Sequence, residues 1–398
     1  MADAPPPPPP RGAPRVTLLV HDLAGNAVVR AAPLAAALAR DHAVEVIGLL
    51  LSGDEVYAPY RGRVRARTLR CGASLPAVLA AAPKLARLAT GDLLYACKPL
   101  PSTLLPALLA ARRGGRPVLL DVEDDEWASP TVDDPGAGLR GALRRLADTH
   151  GRVARATHPL VRRVDGVTVG SRALQRRYGG TLVRHGPDPA EFDPARPELA
   201  DRAALRRSFD LPSERKLALF AGRPRPHKGW EVLVDALARP EAEAWDLVSA
   251  GPPGAAEAAA AARLGGRFHP IGMVSNERMP ALLAACDAAP VPQRDVPFAR
   301  AQLPAKALEA MAMALPVVAT PVADLPEILG EGERGWLVPA DDAAALARAL
   351  AAIAADSAEA ARRAEAGRRW FLAEASVDAI ADRLAPLVAD ALARRGRR

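Results

Sequence analysis

Cations cluster between two glycines in the second half of the chain. Arg223 and Lys228 lie in the segment GRPRPHKG, which runs from Gly222 to Gly229 between a strand-like run and a helix-like run. Both side chains form charge-assisted hydrogen bonds with phosphate, and a helix N-terminus adds the positive end of its dipole. The segment predicts a pyrophosphate clamp that could stabilise a departing nucleoside diphosphate without a metal ion. A solvated basic turn is the alternative interpretation.

A lysine and a glutamate lie on a helix-like run that leads into another strand-like run. Pro304 suits the first turn of that helix, and Lys306 and Glu309 follow it, three residues apart. Side chains at this spacing face the same side of a helix, so Glu309 can present its carboxylate to the hydroxyls of a bound ribose. The alternative is an ordinary exposed pair of lysine and glutamate.

Five of the six residues from Asp121 to Glu126 are acidic, and they follow a strand-like run. In doubly wound sheets, ligands bind at the carboxyl ends of the strands, which is where this cluster is predicted to lie. Asp121 and Glu123 are candidates for orienting a hydroxyl or accepting its proton, and the cluster could instead bind a divalent cation. A solvated acidic loop, paired with nearby arginines, is the alternative.

Short runs rich in leucine and β-branched residues alternate with alanine-rich runs, which predicts parallel strands joined by helices in both halves. The strands predicted for the first half are residues 16–20, 44–50, 65–69, 93–96, 118–121 and 167–169. Those predicted for the second half are residues 216–221, 246–250, 268–271, 288–291, 316–320 and 336–338. The predicted fold class is α/β with two Rossmann-like domains, at 15–194 and 195–375, after a disordered proline-rich tail at 1–14 and before a final helix at 376–398.

The motifs in this order resemble the retaining GT-B glycosyltransferases of family 4 over nearly the whole chain. The segment Gly222–Gly229 resembles their diphosphate clamp, and KALEAMAMALPVVAT, at Lys306–Thr320, resembles their nucleotide-binding helix and the strand after it. Gly25 and Asn26 resemble the glycine-containing loop that approaches the donor phosphates. Further similarity lies at His185–Asp188, Asp324–Ile328 and Gly335–Pro339.

This resemblance implies two domains facing a central cleft, with the acceptor on the N-terminal side, the nucleotide sugar on the C-terminal side and the last helix packed back on the first domain. It implies transfer of a sugar from a UDP- or GDP-linked donor to a hydroxyl of a small molecule, lipid or glycan, with retention and without metal or cofactor. The implied donor site consists of Gly25, Asn26, Gly222, Arg223, Lys228, Phe298, Gln302, Leu303, Pro304, Lys306 and Glu309.

Two positions depart from the pattern of the resembling family. Ala301 stands where a glutamate near the donor sugar is common, so Phe298 and Gln302 are expected to shape that part of the pocket. The acidic cluster Asp121–Glu126 stands where many members carry a histidine. These departures leave a non-catalytic partner protein as an alternative, and a sugar-nucleotide 2-epimerase stays as another because it shares the fold and the donor. A nicotinamide-dependent oxidoreductase is disfavoured because neither half carries GxGxxG.

The composition limits the classes of binding partner that are expected. The net charge of +7 favours anionic ligands, while 4% aromatic residues are too few to indicate stacking on single-stranded nucleic acid. The three cysteines are widely spaced, which argues against disulfides and a cysteine zinc site and favours a cytoplasmic protein. Ten arginines between Arg140 and Arg177 predict an amphipathic basic helix, which could contact the inner face of a membrane or pack with a solvated outer side.

Overall fold

The fold was analysed in a computed structural model that describes residues 12–126 and 153–395, except residue 154. Most of the proline-rich tail and much of the segment at 140–177 therefore lie outside the described residues. From His158 onward that segment forms a 3-10 turn (His158–Arg163), a strand and a short helix, so this part is not one long helix. None of the described helices combines the length and the apolar character that a membrane span requires.

Strands and helices alternate along the described chain. The strands are β1 (Arg15–Val20), β2 (Ala43–Leu50), β3 (Ala66–Arg70), β4 (Leu93–Cys97), β5 (Val118–Val122), β6 (Gly166–Val169), β7 (Thr181–Leu182), β8 (Lys216–Ala221), β9 (Trp245–Ala250), β10 (Phe268–Pro270), β11 (Ala289–Val291), β12 (Val317–Ala319) and β13 (Trp336–Leu337). The helices are α1 (Ala27–Leu38), α2 (Leu75–Leu88), α3 (Leu104–Gly114), α4 (Arg172–Tyr178), α5 (Arg202–Ser208), α6 (Trp230–Leu237), α7 (Ala255–Leu264), α8 (Met279–Ala285), α9 (Ala305–Ala312), α10 (Leu325–Ile328), α11 (Ala343–Ala355), α12 (Ser357–Glu374) and α13 (Val377–Arg395).

Each strand predicted from the sequence is present, with both ends within one residue of the prediction. The reason is that most of these strands are buried on both faces, as in β4 and β5, and so form continuous apolar runs that stand out from their surroundings; β3 is the mostly exposed exception. The prediction missed β7, which has two residues and too little pattern to be recognised.

Unit 1 comprises Met1–His185 and Val377–Arg398. Its strands form one parallel sheet in the order β3-β2-β1-β4-β5-β6-β7, so the strand order reverses between β1 and β4. The last helix, α13, belongs to this unit and packs against α1. Its buried side chains recur at helical spacing and join the core that surrounds β1: Val377, Ile380, Leu384, Val388 and Ala391.

Unit 2 comprises Gly186–Ser376. Its strands form the orders β10-β9-β8 and β11-β12-β13, which a parallel bridge between Ala218 and Ala288 connects. The combined order reverses between β8 and β11, and ligands of such sheets bind at the carboxyl ends of the strands beside this reversal. The sequence assigned residues up to 194 to the first domain, but Phe192 is fully buried in the core of unit 2 and Asp193 pairs with Arg368 at 2.8 Å.

Candidate functional site

Two glycines shape the loop between β8 and α6. Gly222 and Gly229 both have positive φ angles, of 111° and 67°, which favour glycine. A Cβ on Gly229 would overlap the carbonyl oxygen of Pro292, so only glycine lets the end of β11 lie against the start of α6. At the other end of the loop, the Nζ atom of Lys228 is 3.3 Å from where a Cβ of Gly222 would be. The loop thus folds back and places the Lys228 ammonium against its own first residue.

The segment after β11 packs against the same loop. The amide of Arg294 donates a hydrogen bond to the carbonyl of His227 at 3.0 Å. The rings of His227 and Phe298 meet edge to face, with centroids 5.2 Å apart. Phe298, a predicted donor-site residue, therefore lies beside the predicted clamp. The structure brings the two segments together although about 70 residues separate them in the chain.

Helix α9 places the side chain of Lys306 beside the loop that follows β8. Pro304 precedes its first turn, and the Nζ atom of Lys306 lies 3.7 Å from the centroid of the Phe220 ring at the end of β8. This Nζ atom is shielded from solvent and has no hydrogen-bond partner among the described residues. Burial lowers the pKa of Lys306 well below its ordinary value; the charge of Lys228 lowers it further, and Glu309 opposes the shift.

Glu309 follows Lys306 by one turn, and burial raises the pKa of its carboxyl to about 7, against the opposing effect of Lys306.

Gln293, at the end of β11, is 1% exposed, and its Oε1 atom has no partner among the described residues. Buried polar atoms without partners are rare in proteins, and two atoms that lack one among the described residues, Lys306 Nζ and Gln293 Oε1, belong to segments beside the reversal of strand order. The sequence prediction missed Gln293, although its place two residues after a predicted strand of the second half was a usable signal.

The remaining donor-site candidates of this segment differ in exposure. Leu303 is 3% exposed and belongs to the apolar core of unit 2, so its side chain packs rather than facing a ligand. Pro304 is buried, whereas Gln302 is half-buried. Ala301, which stands at the position of the missing glutamate, is 5% exposed. Position 301 is therefore largely shielded from solvent.

Asp121 lies in the core of unit 1 rather than at an accessible edge. Its carboxylate accepts hydrogen bonds from Arg30, from Nη2 at 2.6 Å and from Nε at 2.9 Å, and from Thr168 at 2.6 Å. Arg30 also donates to the carbonyl of Val183 at 2.8 Å. Both members of this ion pair have side chains that are 1% exposed. This placement favours a structural role for Asp121 over the catalytic role expected from the sequence.

The rest of the acidic cluster is largely paired. Lys98, directly after β4, binds Asp124 at 2.8 Å and Glu126 at 2.7 Å, while Asp125 pairs with Arg177. Lys98 has a φ angle of 88°, a strained conformation for a residue with a side chain. The sequence prediction missed Lys98, a cation directly after a predicted strand. Among the described residues, no group of His, Cys, Asp and Glu side chains is arranged to hold a metal ion.

Glu123 differs from its acidic neighbours because it makes no hydrogen bond or ion pair with a described residue. Burial raises the pKa of its carboxyl to about 8; Asp124 adds to the shift, and Lys98 and Arg30 oppose it. Burial, followed by the charge of Arg30, lowers the pKa of His185 to about 3, so its imidazole is neutral at physiological pH. Unit 1 thus holds a neutral imidazole and a carboxyl group that keeps its proton near neutrality.

The loop after β1 contains the other predicted residues of unit 1. It folds around Asp22, which accepts hydrogen bonds from the amides of Ala24 and Leu51 and from the Ser52 hydroxyl. Gly25 packs closely on Asp22, since a Cβ there would lie 3.0 Å from its Oδ2 atom. Asn26 precedes α1 and makes no side-chain capping bond. Both predicted residues therefore lie at the carboxyl end of β1.

Known proteins share the segment that holds the loop and α9. Residues 215–356 match the family model for glycosyl transferases group 1. The D-inositol 3-phosphate glycosyltransferase of Streptomyces avermitilis is 30% identical over 285 residues, which are 66% of this chain and 58% of that relative. A GDP-mannose-dependent alpha-(1-6)-phosphatidylinositol monomannoside mannosyltransferase of Mycobacterium tuberculosis is 30% identical over 273 residues, which are 63% of this chain and 71% of that relative. The chain belongs to the group 1 glycosyltransferases.

A solved structure supports the same assignment at the level of the fold. HepE of Anabaena, in complex with UDP and glucose, aligns with 94% of this glycosyltransferase and 99% of its own chain, with a TM-score of 0.71 and 19% identity. This glycosyltransferase therefore has the GT-B fold expected from its motifs. Its family match covers the second half, so the roles of the residues in unit 1 depend on their own geometry.

Proposed function

We propose that this protein transfers a sugar from a UDP- or GDP-linked donor to a hydroxyl of a small molecule, lipid or glycan, with retention and without a metal ion. One observation carries the proposal: Lys228 and Lys306 lie near the carboxyl end of β8 and Gln293 follows β11, and the Lys306 Nζ and Gln293 Oε1 atoms are buried without a partner among the described residues. Among the similar proteins, the Mycobacterium tuberculosis enzyme is GDP-mannose-dependent and HepE was solved with UDP and glucose, which supports both donor classes.

In the proposed reaction, the protein positions the donor and acceptor and stabilises the negative charge of the leaving diphosphate. Lys228 and Arg223 contact the diphosphate together with the N-terminal end of α6, and they stabilise the negative charge that grows as the bond to the sugar breaks. Glu309 accepts hydrogen bonds from ribose hydroxyls. In a retaining transfer of this kind, the acceptor hydroxyl attacks on the face from which the diphosphate leaves, so the enzyme needs no nucleophile of its own.

Donor binding can be measured by thermal stability with UDP, GDP, UDP-glucose and GDP-mannose, each with and without EDTA. A ligand of the folded state at about 100 times its Kd stabilises the protein by about 2.7 kcal/mol, so one base should raise Tm and EDTA should not change the shift. Glu309→Ala should reduce the shift, while Lys84→Ala, at an exposed position on α2, should not. A Tm that no nucleotide raises would contradict the proposal, as would epimerisation of the donor without acceptor.

We propose that Glu123, as a neutral carboxyl group, donates a hydrogen bond to a hydroxyl of the substrate in unit 1. A carboxyl with a pKa raised to about 8 is protonated below that pH and ionised above it. At saturating donor, kcat/KM for the acceptor should therefore fall about tenfold per pH unit above the pKa. Glu123→Gln keeps a donor at every pH and should remove this fall. Glu55→Gln, at an exposed ion pair, serves as the control; an unchanged profile in Glu123→Gln would refute the assignment.

A further inference from the structure

The amine of Lys306 is in an unusual environment for a lysine. Its Nζ atom lies over the face of Phe220 at 3.7 Å and is shielded from water, and none of its hydrogens finds an acceptor among the described residues. A protonated amine has three donors and a full charge, so burial without acceptors favours the neutral form. The aromatic face attracts a cation, but this attraction is weaker than the hydration that the ammonium loses on burial.

Two charged groups act on this amine. Lys228, from the loop after β8, repels a second positive charge, and Glu309, one turn further along α9, attracts it. Glu309 does not balance the repulsion, because it forms no ion pair with Lys306 and itself tends to keep its proton. Burial and Lys228 both lower the pKa of Lys306, and burial has the larger effect. The ligand-free site thus carries less positive charge than its two lysines suggest.

The acceptor atoms that the Lys306 amine lacks are those that a diphosphate supplies. The other buried atom of this site without a described partner, Oε1 of Gln293, is an acceptor, so it would take a donor such as a sugar hydroxyl rather than a phosphate oxygen. A diphosphate beside Lys228 would bring negative charge and acceptor oxygens close to the Lys306 amine, and both favour the protonated form.

We propose that Lys306 is uncharged in the ligand-free protein and takes up a proton from the solvent when the diphosphate of the donor binds beside Lys228. The inference rests on the proposed function and adds a proton to its binding step. One N–H bond forms at Nζ, the proton comes from buffer or water, and it returns to the solvent when the nucleoside diphosphate leaves. The positive charge of the site therefore increases only when the site is occupied.

Proton uptake can be measured by isothermal titration calorimetry of the full chain with UDP-glucose and with GDP-mannose. At about pH 8 the donor diphosphate has no proton to exchange, and Glu309, with its pKa of about 7, is mostly ionised. Titrations in HEPES and in Tris differ in the heat of buffer ionisation and avoid a competing phosphate anion, so the dependence of the binding heat on buffer gives the number of protons. We expect uptake approaching one proton per donor, and an affinity that weakens by up to tenfold per pH unit as pH rises.

Three variants make the result specific. Lys306→Met should bind the donor with a heat that is the same in both buffers, and Lys306→Arg, which is always charged, should also show no uptake and a flatter pH dependence. Lys84→Met, exposed on α2, should behave like the original protein. A binding heat that is equal in both buffers for the original protein would overturn the inference but not the proposed function. Absence of both binding heat and a Tm shift with either donor would overturn both.

Discussion

Replacing Lys228 with alanine should lower kcat/KM for the donor by about 10²- to 10³-fold, the cost typical of losing one group that stabilises developing charge. The reason is its position: the ammonium lies against the backbone of Gly222, at the entry to the loop and beside the N-terminus of α6. Its charge is therefore held where the diphosphate would leave. Steady-state kinetics with the donor that raises Tm provide the measurement.

The division of this loss between kcat and KM tests the assigned role. A fall in kcat shows that Lys228 stabilises the transition state, whereas a rise in KM alone would show binding only and contradict the leaving-group role. Arg223→Ala should show a loss of the same kind. Lys84→Ala, which removes an exposed lysine from unit 1, should retain full activity and controls for the change in net charge.

Replacing Arg30 with methionine should reduce the free energy of unfolding by about 3–5 kcal/mol, because it leaves the Asp121 carboxylate buried without its partner. Arg30 provides three of the hydrogen bonds of this network, and both side chains are 1% exposed. Urea unfolding followed by circular dichroism measures the change. Arg40→Met removes an exposed ion pair with Asp378 and should cost about 1 kcal/mol or less.

A double variant separates structure from catalysis at this ion pair. Arg30→Met combined with Asp121→Leu should be more stable than Arg30→Met alone, since no unpaired charge then remains in the core. Asp121→Asn should mainly lower stability. If Asp121→Asn instead abolished kcat with stability unchanged, Asp121 would be catalytic and the structural role would be wrong.

The segment from β8 to β12 shows which features a local sequence pattern can predict. The glycines of the loop, the proline before α9 and the apolar runs of β8 and β12 are all local signals, and they located the predicted strands and the helix α9. Phe298 and Lys306 were also expected at this site, and the structure places them beside His227 and Phe220. The sequence could not show that the Lys306 amine lacks a hydrogen-bond partner within the described part of the chain, because its burial depends on neighbours from β8 and the loop after it.

The acidic cluster Asp121–Glu126 shows that a local sequence pattern does not predict which partner each side chain has. Five acids within six residues looked equivalent in sequence, and Asp121 and Glu123 were chosen together. In the fold these two acids differ. Asp121 accepts hydrogen bonds from Arg30, which is 91 residues away in the chain, whereas Glu123 has no partner among the described residues. Lys98, which pairs with two of the other acids, comes from the neighbouring strand β4.

By itself, the sequence predicted the alternation of strands and helices and the two-domain α/β architecture, because these follow from periodicity and turn residues within short segments. The GT-B fold was implied by the resemblance of its motifs to a known family. Only the tertiary structure decided which charges are neutralised, which polar atoms are buried without partners and hence which pKa values shift. Those properties depend on side chains that adjacent parallel strands bring together across long crossover connections, and the order of residues along the chain does not display such contacts.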